Sequence, residues 1–154
     1  MRLISAFHLM AAVCLSSSAL AEVRLEGEVE YGIFESPQVE LEPGQRMLRT
    51  GQQPIQRTSV IPARLGTKFG MRYVLAGKRE GDAPLTLLYL TPGVVGPDGA
   101  RHDKFEVVQA MAPEASHDVM AFEFTEPHEL APGEWRFLVF QGDRKLAEQA
   151  FKVQ

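Results

Sequence analysis

Asparagine is absent from this 154-residue sequence, and cysteine occurs once, at Cys14. Without Asn there is no N-glycosylation acceptor, and the Asn-Gly signal for a tight hairpin is unavailable. A single Cys excludes a disulfide-stapled scaffold, so an ordinary apolar core must hold the fold. Long apolar runs are also missing. The longest stretch, Leu3–Leu15, is too short to span a bilayer as a helix. The formal net charge of −4 excludes the strongly basic balance of a dedicated nucleic-acid binder. With 45% apolar and 23% charged residues, the composition is that of a globular chain.

The N-terminus reads as an address. Arg2 supplies a positive charge, Leu3–Leu15 is mostly apolar, and Ser16-Ser17-Ser18 leads into Ala19-Leu20-Ala21 before Glu22. That order of basic, apolar and small-residue regions predicts a secretory signal peptide over 1–21, cleaved near Ala21. Removing 21 of the 154 residues leaves a domain of 133, at 22–154, with no cysteine and no transmembrane segment. Arg outnumbers Lys by 11 to 5, which suits a GC-rich bacterial genome. The expected location is therefore a bacterial periplasm or exterior.

The rest reads as strands. From Val23 to Ile33, apolar Val, Leu, Tyr and Ile alternate with Arg24, Glu26, Glu28 and Glu30, the period of a half-buried strand. Gly32 and Phe34 predict a bulge or bend near its end. Residues 36–66 are irregular and broken by Pro37, Pro43, Pro54 and Pro62, with short strands expected at Gln38–Leu41 and Thr58–Ile61. Alternation resumes over Thr67–Leu75. Leu85–Leu90 is apolar on both parities and predicts a central, doubly buried strand. Further strands are expected at Phe105–Met111, Val119–Thr125 and Arg144–Val153. Leu130-Ala-Pro-Gly-Glu-Trp-Arg-Phe-Leu-Val139 enters a strand through a Pro-Gly corner, with Trp135, Phe137 and Val139 inward. Without a convincing helix, about seven strands predict an all-β fold: a single immunoglobulin-like antiparallel β-sandwich, or alternatively a small closed β-barrel.

The corner before Trp135 resembles the one leading into the penultimate strand of immunoglobulin-like and fibronectin-type modules. Tyr31-Gly32-Ile33-Phe34, Phe69-Gly70 after Gly66, Pro132-Gly133-Glu134-Trp135 and Phe151-Lys152-Val153 together resemble a family of small exported bacterial domains of unknown function. The resemblance spans nearly all of 22–154. It implies a single exported domain and transfers no catalytic residues.

Motifs for chemistry are scarce. Ser36, Ser59 and Ser116 are the serines after residue 21, and none sits in G-x-S-x-G. Ser116-His117-Asp118 is adjacent in sequence, but neighbours in an extended chain face opposite ways, so it reads as a polar turn. His102, His117 and His128 each precede an acid, yet no pair has the spacing of a preformed metal site. Gly93, Gly96 and Gly99 lack the G-K-[ST] of a phosphate cradle. The expectation is a non-enzymatic protein with no cofactor and no metal.

Charge is laid out in blocks. Residues 22–42 hold seven acids against Arg24; 43–79 hold eight bases and no acid; from Glu80 onward thirteen acids face six bases. Internal pairing accounts for part of this, with Glu26, Glu28 and Glu30 on one strand beside Lys68 and Arg72 on another. The bases of the Pro-broken stretch, Arg46, Arg49, Arg57 and Arg64, suit bidentate grip on carboxylate or phosphate. They are the candidate contacts to an anionic envelope polymer or an acidic envelope protein. Nucleic acid is not expected, because no aromatics interleave with them. The leading functional expectation is thus an exported binding module of the bacterial envelope. The alternatives are a glycan-acting enzyme with a carboxylate pair and a structural or chaperone-like protein using an exposed edge strand.

Overall fold

The computed structural model describes residues 22–35 and 53–154. The leader at 1–21, the strand expected at Gln38–Leu41, and Arg46 and Arg49 lie outside the described residues. Among the described residues nine strands follow in chain order: β1 Arg24–Phe34, β2 Ile55–Arg57, β3 Val60–Ile61, β4 Lys68–Ala76, β5 Leu85–Val95, β6 Arg101–Gln109, β7 Asp118–Glu123, β8 Gly133–Gln141 and β9 Arg144–Val153. They form two open sheets, β2-β1-β4-β7 and β3-β9-β8-β5-β6. This is a sandwich; no barrel closes. All pairings are antiparallel except β3 with β9.

Of the strand expected at Thr58–Ile61 only Val60–Ile61 forms, as β3, while β2 at Ile55–Arg57 precedes it. The Thr58 hydroxyl bonds both the N–H and the carbonyl of Val60, at 3.0 and 3.1 Å. This local turn carries the chain from β2, beside β1 in one sheet, to β3, beside β9 in the other. Beyond β3, Pro62 cannot extend a ladder, and Ala63 donates its N–H to the Gln154 carbonyl at 2.9 Å.

The core sits between the sheets and is rich in rings. Phe69 lies 5.2–5.8 Å, centroid to centroid, from Phe124, Trp135, Phe137 and Phe151. Trp135 is fully buried and donates its indole N–H to the Ala131 carbonyl at 2.9 Å, which satisfies its one polar atom. Phe137 and Val139 are buried beside it, as the alternation predicted.

Three expectations are corrected. The β1 irregularity falls between Glu26 and Glu30, where Gly27 has φ of +70°, and not near Gly32. Gly32 has another role. It faces Gly70 across the β1–β4 ladder, and both have positive φ. A Cβ at Gly32 would lie 1.9 Å from the Gln56 carbonyl oxygen, and one at Gly70 would lie 2.2 Å from that of Met120. Close backbone approach therefore explains both glycines. Second, β5 is central in its sheet but buried on one face only: Leu85, Leu87 and Tyr89 are inside, while Thr86, Leu88 and Leu90 are half-buried outside. Third, although no helix was expected, a one-turn 3-10 helix forms at Pro127–Glu129.

Candidate functional site

The two sides of the sandwich differ. On one side β2 and β3 are short, and the chain itself crosses between the sheets. On the other side β6 and β7 end their sheets with nine and six residues, and no described strand pairs with their outer edges. Between them opens a cleft of about 670 Å³, within the range of ligand sites.

Its floor is apolar. Phe105 of β6 and Phe122 of β7 stack across the gap with centroids 6.3 Å apart, and Phe122 continues to Trp135 at 5.0 Å. Val94, Val107 and Ala121 complete the walls. The Tyr89 hydroxyl reaches from β5 to donate to the Ala121 carbonyl at 3.1 Å, tying one sheet to the other. Burial pushes this phenol up to about 12, so it remains a neutral donor at physiological pH.

The rim is polar, and its carboxylates are already occupied. Glu129 accepts from the N–H groups of Thr125 and Glu126 and from the Thr125 hydroxyl, at 2.7, 2.9 and 3.2 Å. Asp98 accepts from the Ala100 N–H at 3.0 Å and fixes the β5–β6 turn. His102 stacks on Phe105 at 5.9 Å, and His128 completes the rim. Eight acids against two bases lie between Gly96 and Glu129, so this flank is acidic.

The end of β7 is fixed by a buried ion pair. Lys78 donates to Asp118 at 3.0 Å and to the Ala115 carbonyl at 2.7 Å, with both charged side chains almost fully enclosed. Asp118 is therefore engaged away from Ser116 and His117, which bond each other at 3.0 Å. Tyr73 faces Asp118 across β4–β7; burial and then the Asp118 charge raise its phenol above the usual range. Among the described residues no three His, Cys, Asp or Glu side chains are grouped as metal ligands would be.

Of the six described bases of the basic segment, Arg72 and Lys78 are in ion pairs and Arg57 and Lys68 lie over rings. Arg72 bonds Glu30, its cross-strand partner, at 2.6 Å and the Gln53 carbonyl at 3.0 Å. Lys68 lies over the Phe34 ring. Of the candidate anion contacts, Arg57 lies 4.9 Å above the Tyr31 ring and shares with Arg72 a hollow of about 150 Å³. Arg64 is exposed in the β3–β4 connection, on a different element. The cleft residues escaped the sequence reading. One signal pointed to them: β6 carries charge on both parities, Arg101 and Asp103 on one and Lys104 and Glu106 on the other, as an edge strand wet on both faces does.

The chain belongs to the family described as a domain of unknown function (DUF3859), whose model matches residues 22–153. It is similar to an immunoglobulin-like protein from Pseudomonas aeruginosa, known from a crystal structure: 62% identity over 88% of this chain and 99% of that one, with a TM-score of 0.76. A DNA-bound alkylpurine DNA glycosylase from Pseudomonas fluorescens aligns at 13% identity over 87% of this chain and 31% of that one. Its TM-score of 0.41 is too low to bear on fold or function. No curated protein matches the chain significantly. Among the described residues no helix is long and apolar enough to cross a membrane.

Proposed function

We propose that this chain is a non-enzymatic interaction module of the bacterial envelope that takes an apolar, basic-flanked polypeptide segment into the cleft between β6 and β7. The observation that carries the reading is the apolar floor of Phe105 and Phe122, between two strand edges that no described strand pairs. The excess of acids from Gly96 to Glu129 supports basic flanks on the partner. The rim carboxylates serve backbone N–H groups, an arrangement suited to shape and not to proton transfer. Export rests on the order of charges and apolar residues over 1–21.

The test is an amide-shift titration of the labelled protein with a peptide of alternating Leu and Val flanked by lysines, alongside the same peptide flanked by glutamates. The expected result is shifts at Phe105, Val107 and Phe122 with the lysine-flanked peptide, lost in Val107→Glu. No shifts at millimolar peptide would sink the reading. A second reading keeps an anionic ligand at Arg46, Arg49, Arg57 and Arg64, favoured by the hollow that Arg57 and Arg72 share. Heparin added as a third probe decides for it if shifts gather at Arg57 and Arg64.

A further inference from the structure

The outer edge of β6 carries a charge pattern that complements itself. We infer that β6 pairs antiparallel with β6 of a second copy of this chain, about a twofold axis through Phe105, with Lys104 of each copy opposite Glu106 of the other. The inference goes beyond the proposed function and does not rest on it.

A twofold axis normal to a sheet leaves every side chain on its own face. Opposed residues must then share parity, so the axis passes through a residue. Centring it on Asp103, Lys104 or Glu106 sets like charges directly opposite, which disfavours pairing. Centring it on His102 opposes Arg101 to Asp103, but overlaps three strand residues only, and Arg101 already donates to the Pro92 carbonyl. Centring it on Val107 leaves Lys104 and Glu106 without charged partners. The Phe105 register makes two reciprocal Lys104–Glu106 pairs, and these lie in the part of β6 that keeps one register against β5, from Lys104 to Gln109.

What the pairing covers fits the same partner. Val107 and Val108 are 49% and 66% exposed, the most exposed large apolar side chains of the described residues. In this register Val107 lies opposite Asp103, and Val108 lies over the shifted end of the partner's strand. Phe105, half-buried over Phe122, meets its own copy, so each chain contributes a ring beside the other's cleft. A single strand pair is a small interface, and the dimer is accordingly weak.

The experiment is sedimentation velocity on the purified protein from about 1 µM to 1 mM, the range expected of a small interface. The parent should dimerise with rising concentration. Lys104→Glu and Glu106→Lys should each raise the dissociation constant about tenfold or more, as attraction becomes repulsion at two pairs. The double variant should return to within about threefold of the parent, and a mixture of the two single variants should form the heterodimer. A parent monomeric throughout, a dimer indifferent to Lys104→Glu, or a double variant no better than the singles would each overturn the inference. Amide exchange of the parent tests it without substitution: protection over 101–109 must rise with concentration, and its failure to do so also overturns it. The peptide titration, repeated on monomeric Lys104→Glu, separates this outcome from that of the proposed function.

Discussion

The two sides of the sandwich solve the same problem differently. Where β2 and β3 lie, the chain crosses from sheet to sheet and covers the core with its own backbone. Ile61 on β3 is completely buried, although β3 ends its sheet. Where β6 and β7 lie, the chain crosses beyond the strand ends, through residues 110–117, and the strand edges themselves stay uncovered by described chain. A polar clamp, Tyr89 on the Ala121 carbonyl, ties the sheets across the floor, and Lys78 with Asp118 anchors the start of β7 within its own sheet. A crossing chain seals an edge, whereas a clamp leaves it open at a fixed width. The open side has the roomier hollow, about 670 Å³ against about 430 Å³ beside β3 and β9.

The largest effect is expected where the open side's edge strand β7 is anchored to its own sheet. Asp118→Ala leaves the Lys78 ammonium enclosed without its counter-charge, at a cost of about 3–5 kcal/mol. For a domain of this size that is a large part of total stability. Joint replacement by Lys78→Met and Asp118→Leu removes both charges and should restore most of the loss. Denaturant unfolding of the three proteins measures it. A cost below about 1 kcal/mol for Asp118→Ala would mean the pair does not anchor β7.

The next test compares the two edges residue for residue. Ile61→Ala opens a void in the sealed side and should cost about 2–5 kcal/mol. Val107→Ala, on the open edge, should cost under about 0.5 kcal/mol at dilute protein. Equal costs would erase the distinction between the sides.

Much of this contrast has a trace in the sequence, and the missing part is missing for physical reasons. Trp135, Phe137 and Val139 are inward because period-two alternation after a Pro-Gly corner admits one register. Glu30 with Arg72 was readable as a cross-strand pair because opposite charges stood on the polar parities of two clear strands. Leu85–Leu90 misled because hydrophobicity records a preference for cover without saying what supplies it. Outside β5, Leu88 and Leu90 share a sheet face with Leu138, whose β9 partner Glu148 takes Arg136 and Lys145. The cleft was invisible because Tyr89, Phe105 and Phe122 meet only through pairing of β5 with β6 and the stacking of two sheets. The buried Lys78 was likewise hidden, since a lysine in a Gly-rich polar turn reads as solvated.

The smallest expected effect lies on the outer face near the sealed side and depends on pH. Glu148 accepts hydrogen bonds from Lys145 and Arg136, and these hold its carboxyl below the usual range, the Lys145 bond first. A carboxylate whose folded pKa is depressed binds its proton less readily when folded. Its contribution to stability is therefore complete above the ordinary carboxylate pKa and fades as pH falls through the lowered folded value. Arg136 and Lys145 are 43% and 49% exposed, so solvent screens the triad and its whole worth is under about 1 kcal/mol. Glu148→Gln should therefore lower the melting temperature slightly at pH 7 and flatten its decline in the acid range. Thermal melts of both proteins from neutral to acid pH should converge at the acid end. If the variant instead diverges from the parent as pH falls, the depressed carboxyl is not the source of the effect.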